Sequence, residues 1–348
     1  MLEPQTAVGF GVLFLFEIAW EIAKKKIENY LAIWYTRNGK RTLKGEMKMP
    51  GDRQKKKYLI VNADDFGMCE AANDAVIALF EAGRLHSSTI MFPCPCSERA
   101  ARFAAAHPQY AVGVHLTLTS EWKTYRWPPL TEGASLRDPD GFMWPHTEDV
   151  EKHAAYDDLK REIDAQYEKA LSYGMTPSHV DNHMGTLYGN RTGRFGLLVM
   201  ILRWAGKKDL SYRLYTKTSK TMVPRGTPWP VYRLSGALTS FLAKIDHVIL
   251  PDYLLFPDWT RELCEGGYEA YRKEILRQWT SIPDGVTETF LHPALETDEL
   301  KAITPNWFQR VWEYDLMNDP ETHAYLAAHG VTMISYRDLR ELKKKKKG

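Results

Sequence analysis

The run 58–63, Tyr-Leu-Ile-Val-Asn-Ala, is apolar almost throughout and ends in Asp64-Asp65-Phe66-Gly67. An apolar run this short, without alternation, predicts a strand buried on both faces, the habit of parallel sheets. Over 71–82 the apolar positions switch to helical spacing at Ala72, Val76, Leu79 and Phe80, and Gly83 closes the element. The exchange repeats as strand 88–92, helix 97–106, strand 111–116, helix 156–173 and strand 179–181. It resumes with helix 268–280, strand 287–291, helices 307–317 and 320–329, and a last strand at 332–335. Repeated strand–helix units predict an α/β fold with a parallel sheet covered by helices. Between 191 and 262 the alternation weakens into an aromatic, proline-punctuated stretch, expected to be an insertion beside the face that carries chemistry.

Length and composition change this picture little. A chain of 348 residues with 44% hydrophobic and 12% aromatic content can bury a full core, and one barrel-sized domain with an insertion accommodates it. The expected division is an N-terminal extension and basic linker over 1–57, a catalytic domain over 58–340 and a lysine tail over 341–348. Charge sharpens those boundaries. Residues 1–57 carry 12 Lys and Arg against 6 Asp and Glu, residues 337–348 carry 7 against 2, and the body between is acidic, with 27 against 36. The terminal lysine run is expected to be solvated and disordered. Nucleic-acid binding is not expected, because no base-reading element or stacking platform accompanies the basic ends.

The N-terminal apolar run, 7–20, is interrupted by Glu17 and followed by Glu21 and Lys24 to Lys26. It is short for a bilayer span, and its positive charge comes after the run rather than before it, unlike a signal peptide. It is expected to be an amphipathic or dispensable extension; the alternative is membrane association through residues 7–22. Four cysteines, Cys69, Cys94, Cys96 and Cys264, make no disulfide framework, and Cys94-Pro-Cys96 lacks the spacer of zinc or thioredoxin motifs. A cytoplasmic location is the simpler expectation. The pattern leaves a homodimer open.

Candidate chemistry concentrates where strands end, because loops converge there above a parallel barrel. Asp64 and Asp65 follow the first strand, and adjacent carboxylates repel unless a cation or a shared proton relieves them. Taken alone, the pair would suit a cap and a turn. His115 stands among apolar neighbours in Gly113-Val114-His115-Leu116, where a buried structural histidine is the plainer reading. His179, Asp181 and His183 occupy alternate positions of an extended segment, so all three share one face. His292 ends an apolar strand and precedes Pro293. Four strand ends carrying Asp or His together suggest a site assembled from distant positions. Two histidines and one carboxylate leave coordination positions for water and substrate, and suit Zn²⁺ or Co²⁺ better than an all-oxygen site, with Mg²⁺ a third candidate. A second carboxylate beside the ligands could take a proton from water, and a separate imidazole could protonate a leaving amine.

The segments 60–67, 113–119, 178–186 and 291–293, with the closing Ile334-Ser335-Tyr336-Arg337, resemble the YdjC-like carbohydrate deacetylases, a family that includes chitooligosaccharide deacetylases. The resemblance covers about 58–339. It implies a distorted (β/α) barrel of the polysaccharide-deacetylase type, one divalent metal, and an N-acetylated mono- or oligosaccharide as substrate. Carried over by position, it implies Asp64 as general base, Asp65, His115 and His183 as metal ligands, and His292 as acid or oxyanion partner. His179 and Asp181 would orient the ligands from behind, although the motif leaves open which of His179 and His183 ligates. Arg213 in Ser211-Tyr212-Arg213-Leu214 matches a family arginine near the site. Trp127, Trp144, Trp229 and Trp259 could stack on sugar rings, with packing the plainer reading for each. The rival readings are a metal-dependent phosphoesterase, which would use two ions and a basic clamp, and a non-catalytic carbohydrate-binding protein.

Overall fold

The computed structural model describes residues 56–257 and 259–345. The expectations for the apolar run 7–22 and for nearly all of the linker lie outside these residues. No described helix is long and apolar enough to cross a membrane.

In chain order the elements are β1 (Lys57–Phe66), α1 (Glu70–Glu81), β2 (Ser87–Ile90), α2 (Ser97–Ala106), β3 (Ala111–Leu116), α3 (Thr147–His153), α4 (Tyr156–Ser172) and β4 (His179–Asn182). A 3₁₀ turn over His183–Tyr188 leads to α5 (Gly196–Lys207), β5 (Ser211–Tyr212), α6 (Trp229–Ile245), β6 (Tyr253–Leu254) and α7 (Arg261–Thr280). The chain finishes with β7 (Gly285–Leu291), α8 (Asp298–Ile303), α9 (Trp307–Asn318), α10 (Pro320–Ala328), β8 (Val331–Met333) and α11 (Tyr336–Lys345).

The strands form one curled sheet in the order β5-β4-β3-β2-β1-β7-β6, with β8 beside the start of β1, and every strand pair is parallel. β1 is central and buried from Leu59 onward, which explains why its sequence is apolar rather than alternating. The edges β5 and β6 form no ladder with each other. The seam between them is bridged by loop backbone: Tyr212 N–H donates to Ile249 O and Lys217 N–H to Asp252 O, while Asp252 N–H ties the same loop to Val286 O of β7. A distorted, incompletely laddered α/β barrel results, as the family resemblance implied.

Two boundaries differ from expectation. The stretch 191–262 is not an insertion beside the barrel, because it supplies β5 and β6, both edges of the sheet. Each is two residues long, too short for hydrophobic periodicity to register. The lysine run is not a free tail as far as Lys345, because α11 extends through it and Lys343 Nζ lies 2.7 Å from Asp252. That helix opens on a reciprocal cap: Ser335 N–H donates to Asp338, and Asp338 N–H donates to Ser335 Oγ.

Candidate metal centre

Asp64 and Asp65 lie inside β1, not after it. In a regular strand neighbours point to opposite faces, so two consecutive carboxylates could not share a site. Here the β1–β2 register shifts between Ala63 and Phe66, and Asp65 adopts φ +61°. A bulge of this kind re-aims a side chain, and a non-glycine residue held at positive φ is strain of the sort found at functional sites. Both carboxylates consequently face His115, whose Nε2 is 4.0 Å from Asp64 Oδ2 and 3.4 Å from Asp65 Oδ1.

His115 comes from β3 and Asp181 from β4, opposite one another in the ladder. His115 Nδ1 lies 2.7 Å from Asp181 Oδ1, which leaves Nε2 for the centre. His183 follows β4 and presents Nδ1 to Asp65 Oδ1 at 3.4 Å. The three atoms Asp65 Oδ1, His115 Nε2 and His183 Nδ1 therefore surround one point. Asp65 Oδ1 is buried with no hydrogen-bond partner, a costly condition unless something electropositive satisfies it. Ligands at about 2.0–2.1 Å from a tetrahedral cation stand about 3.4 Å apart, matching the two separations seen here. A single divalent ion fits these residues.

A second group, Asp64, His115 and Asp181, is already neutralised. Arg213, immediately after β5, donates Nη1 and Nη2 to Asp64 at 2.6 Å each, places Nη2 2.8 Å from Asp181, and donates Nε to Glu288 at 2.7 Å. Asp181 also accepts from Thr89 Oγ1 at 2.9 Å. Burial opposes ionisation of Asp64, but Arg213 and His115 hold its carboxyl below the ordinary range. Burial opposes it at Asp65 too, and Arg310 with the two histidines holds that group well below the ordinary range. Burial alone would depress the histidines. Asp181 and Asp64 instead raise His115 to about 10, and Glu121 with Asp65 raises His183 to about 9.

His179, Asp181 and His183 share the barrel face but sit at three depths. His179 does not reach the centre: its Nε2 is 3.0 Å from Asn62 Oδ1, its Nδ1 is 2.8 Å from Ser178 Oγ, and its ring stacks on Tyr336 at 3.7 Å. Burial and the nearby Arg213 push its pKa well below the ordinary value, so it is neutral. His183, not His179, is the histidine beside Asp65. His292 ends the barrel's β7 side. Its side chain is 31% exposed, its Nδ1 is 3.6 Å from Glu313, and its backbone N–H donates to the same carboxylate at 2.6 Å. Burial opposes protonation, but Glu313 raises its pKa.

Several residues here were missed in the sequence. Arg310 Nη2 lies 2.7 Å from Asp65 Oδ2, and Glu121 lies 3.0 Å from His183 Nε2. Glu288, which also accepts from Tyr336 Oη, and Glu313 complete the charged lining. Arg310 and Glu313 left a faint signal, two charges three apart on an aromatic-rich helix, so on one face. Glu121 left none. Of the four tryptophans, Trp127 is core, Trp144 stacks on His153 and Trp259 on Tyr271, and Trp229 packs against the core. None is a free platform at the centre.

The profile of the family described as YdjC-like protein matches residues 58–328. The chain belongs to the YdjC-like family. Relatives of this YdjC-like chain include the carbohydrate deacetylase of Geobacillus stearothermophilus, 29% identical over 82% of this chain and 99% of that one. The carbohydrate deacetylase of Thermus thermophilus is 29% identical over 81% of this chain and 95% of its own. A crystal structure of an Enterococcus faecalis V583 protein, named for cellobiose-phosphate cleavage, superposes with TM-score 0.64 at 24% identity, covering 82% of this chain and 99% of that one. That likeness establishes the fold.

Proposed function

We propose that this YdjC-like chain is a metal-dependent carbohydrate deacetylase that hydrolyses the acetamido group of an N-acetylated sugar in the cytoplasm. The observation that carries the metal half is the orphaned, buried Asp65 Oδ1 between His115 Nε2 and His183 Nδ1. The acetyl-sugar half is supported by the names of the relatives. Asp65, His115 and His183 would hold the ion, which supplies Lewis acidity toward a carbonyl and lowers the pKa of water. Zn²⁺ or Co²⁺ suits two imidazoles and a carboxylate better than Mg²⁺.

The chain's own residues supply the proton transfers. Asp64 is kept ionised by Arg213 and faces the centre through Oδ2, so it is placed to accept the proton of an attacking water. The ion pair limits its basicity, which makes orientation rather than proton affinity its main contribution. His292, with its pKa raised by Glu313, is charged over more of the neutral range and can deliver a proton to the departing amine. Arg213, Asp181 and Glu288 fix Asp64 and His115 against drift. A two-metal phosphoesterase is disfavoured because the second group of ligating types is filled by Arg213. Four free cysteines suit a reducing compartment.

The test is acetate release from N,N'-diacetylchitobiose by full-length protein, stripped with chelator and then supplied with Zn²⁺, Co²⁺ or Mg²⁺. Release is expected to vanish and return, and Asp64→Asn should bind metal normally while losing at least about 100-fold in turnover. Metal-restored hydrolysis of phosphate esters without acetate release would refute the proposal.

A further inference from the structure

We infer that Glu121 is a positioning residue of the metal centre, fixing His183 in the tautomer and ring orientation that turn Nδ1 toward Asp65. Both carboxylate oxygens of Glu121 lie on His183 Nε2, at 3.1 and 3.0 Å, while Nδ1 is 3.4 Å from Asp65 Oδ1. An ionised carboxylate only accepts, so it keeps a proton on Nε2 and, in the neutral imidazole that metal binding requires, leaves the lone pair on Nδ1. Asp181 does the same for His115 with the nitrogens exchanged. The two rings stand nearly edge to face, 68° apart with centroids 5.3 Å apart, because their orienting carboxylates approach from different elements.

Glu121 differs from Asp181 in origin. Asp181 is part of a strand, whereas Glu121 belongs to the loop after β3, where position needs separate support. That support is present: Ser120 N–H donates to Trp144 O at 2.9 Å, Trp127 N–H donates to Ser120 Oγ at 3.0 Å, and Trp127 Nε1–H donates to Thr119 O at 3.0 Å. Trp127 is 1% exposed, so the loop is pinned by core. The next residue, Trp122, lies 5.7 Å from the Arg310 guanidinium, which itself holds Asp65 Oδ2. One loop therefore steadies two of the three ligands, His183 through Glu121 and Asp65 through Arg310. Partners of this kind orient ligands and commonly change metal affinity about 10–100-fold when removed.

The inference rests on the metal half of the proposed function, and its test uses no substrate. Full-length wild-type, Glu121→Gln and Glu121→Ala proteins are stripped of metal, titrated with Zn²⁺ against a chromophoric chelator, and reconstituted with Co²⁺ for visible spectra. Thermal unfolding of the metal-free forms is measured alongside. Glu121→Ala should bind Zn²⁺ about 10–100-fold more weakly. Glu121→Gln, whose carbonyl can still accept from Nε2–H, should fall between, with an altered Co²⁺ spectrum. If Glu121→Ala does not fold, Glu121→Gln decides alone. Affinity within twofold of wild type and an identical Co²⁺ spectrum would overturn the inference, as would an affinity loss with an unaltered Co²⁺ spectrum. Failure to release acetate leaves it standing, whereas a wild-type chain that binds no Zn²⁺ removes it together with the metal centre.

Discussion

Replacing Gly113 by alanine puts a methyl group where β4 already is. The new Cβ would stand 2.3 Å from the His179 carbonyl oxygen, 3.0 Å from its carbon and 2.9 Å from Nδ1. Ordinary contact is about 3.5 Å, so backbone must retreat by roughly 1 Å: the carbonyl belongs to a hydrogen-bonded strand, and Nδ1 to a buried ring held by Ser178, Asn62 and Tyr336. Overpacking of this sort costs about 1–3 kcal/mol. Opening the ladder also weakens a buried bond near the clash, such as Ser178 N–H to Val112 O at 3.0 Å, adding about 1 kcal/mol. A total of about 2–4 kcal/mol corresponds to a Tm lowered by roughly 5–10 °C in a domain of this size. The damage should extend to the site, because His115 and Asp181 face each other two residues further along the same ladder and their 2.7 Å bond depends on its spacing. The assay is thermal and urea unfolding of metal-free Gly113→Ala, with a Zn²⁺ titration of the folded fraction. A Tm within about 1 °C of wild type, with unchanged Zn²⁺ affinity, would refute the steric argument.

Metal binding should tighten steeply with pH. His115 and His183 are raised from 6.5 to about 10 and about 9 by their carboxylate neighbours, so both hold protons at neutral pH that an incoming ion must expel. The apparent Kd for Zn²⁺ should fall by up to roughly 100-fold per pH unit near neutrality, and a pH-independent Kd in competition titrations would contradict the assignment. Glu288→Gln should flatten the pH dependence of stability. Burial lifts Glu288 from 4.5 to about 7, so the folded state holds a proton that the unfolded state releases between those values. That stability is complete below the unfolded value and fades as pH rises through about 7, with a slope of at most about 1.4 kcal/mol per pH unit. Urea unfolding at pH 5, 6, 7 and 8 checks it, and parallel curves for variant and wild type would count against a protonated Glu288.

The regular strands and helices were legible because burial imposes periodicity. β1 and β3 are largely apolar runs since both faces of their curled sheet are buried, and α1 shows its stripe because one face meets that sheet. β5 and β6 escaped, since a two-residue strand has no period, and so did the ordering of the lysines in α11, which depends on Asp252 nearly a hundred residues away. At the site, residue type and strand-end position brought Asp64, Asp65, His115, His179, Asp181, His183 and His292 forward as candidates, and the fold gathers Asp64, Asp65, His115 and His183, each with a ligating atom within 4.0 Å of another's. Sequence could not assign depth along β4, where His179 and His183 look equivalent until Asn62 and Tyr336 engage one and Asp65 the other. Nor could it supply Glu121, Arg310, Glu288 or Glu313, charges whose meaning comes from the partner they meet. Local pattern is set by each element's own burial, so a single chain displays it; the pairing of ionisable groups is set by how elements pack, and only the tertiary structure decides it.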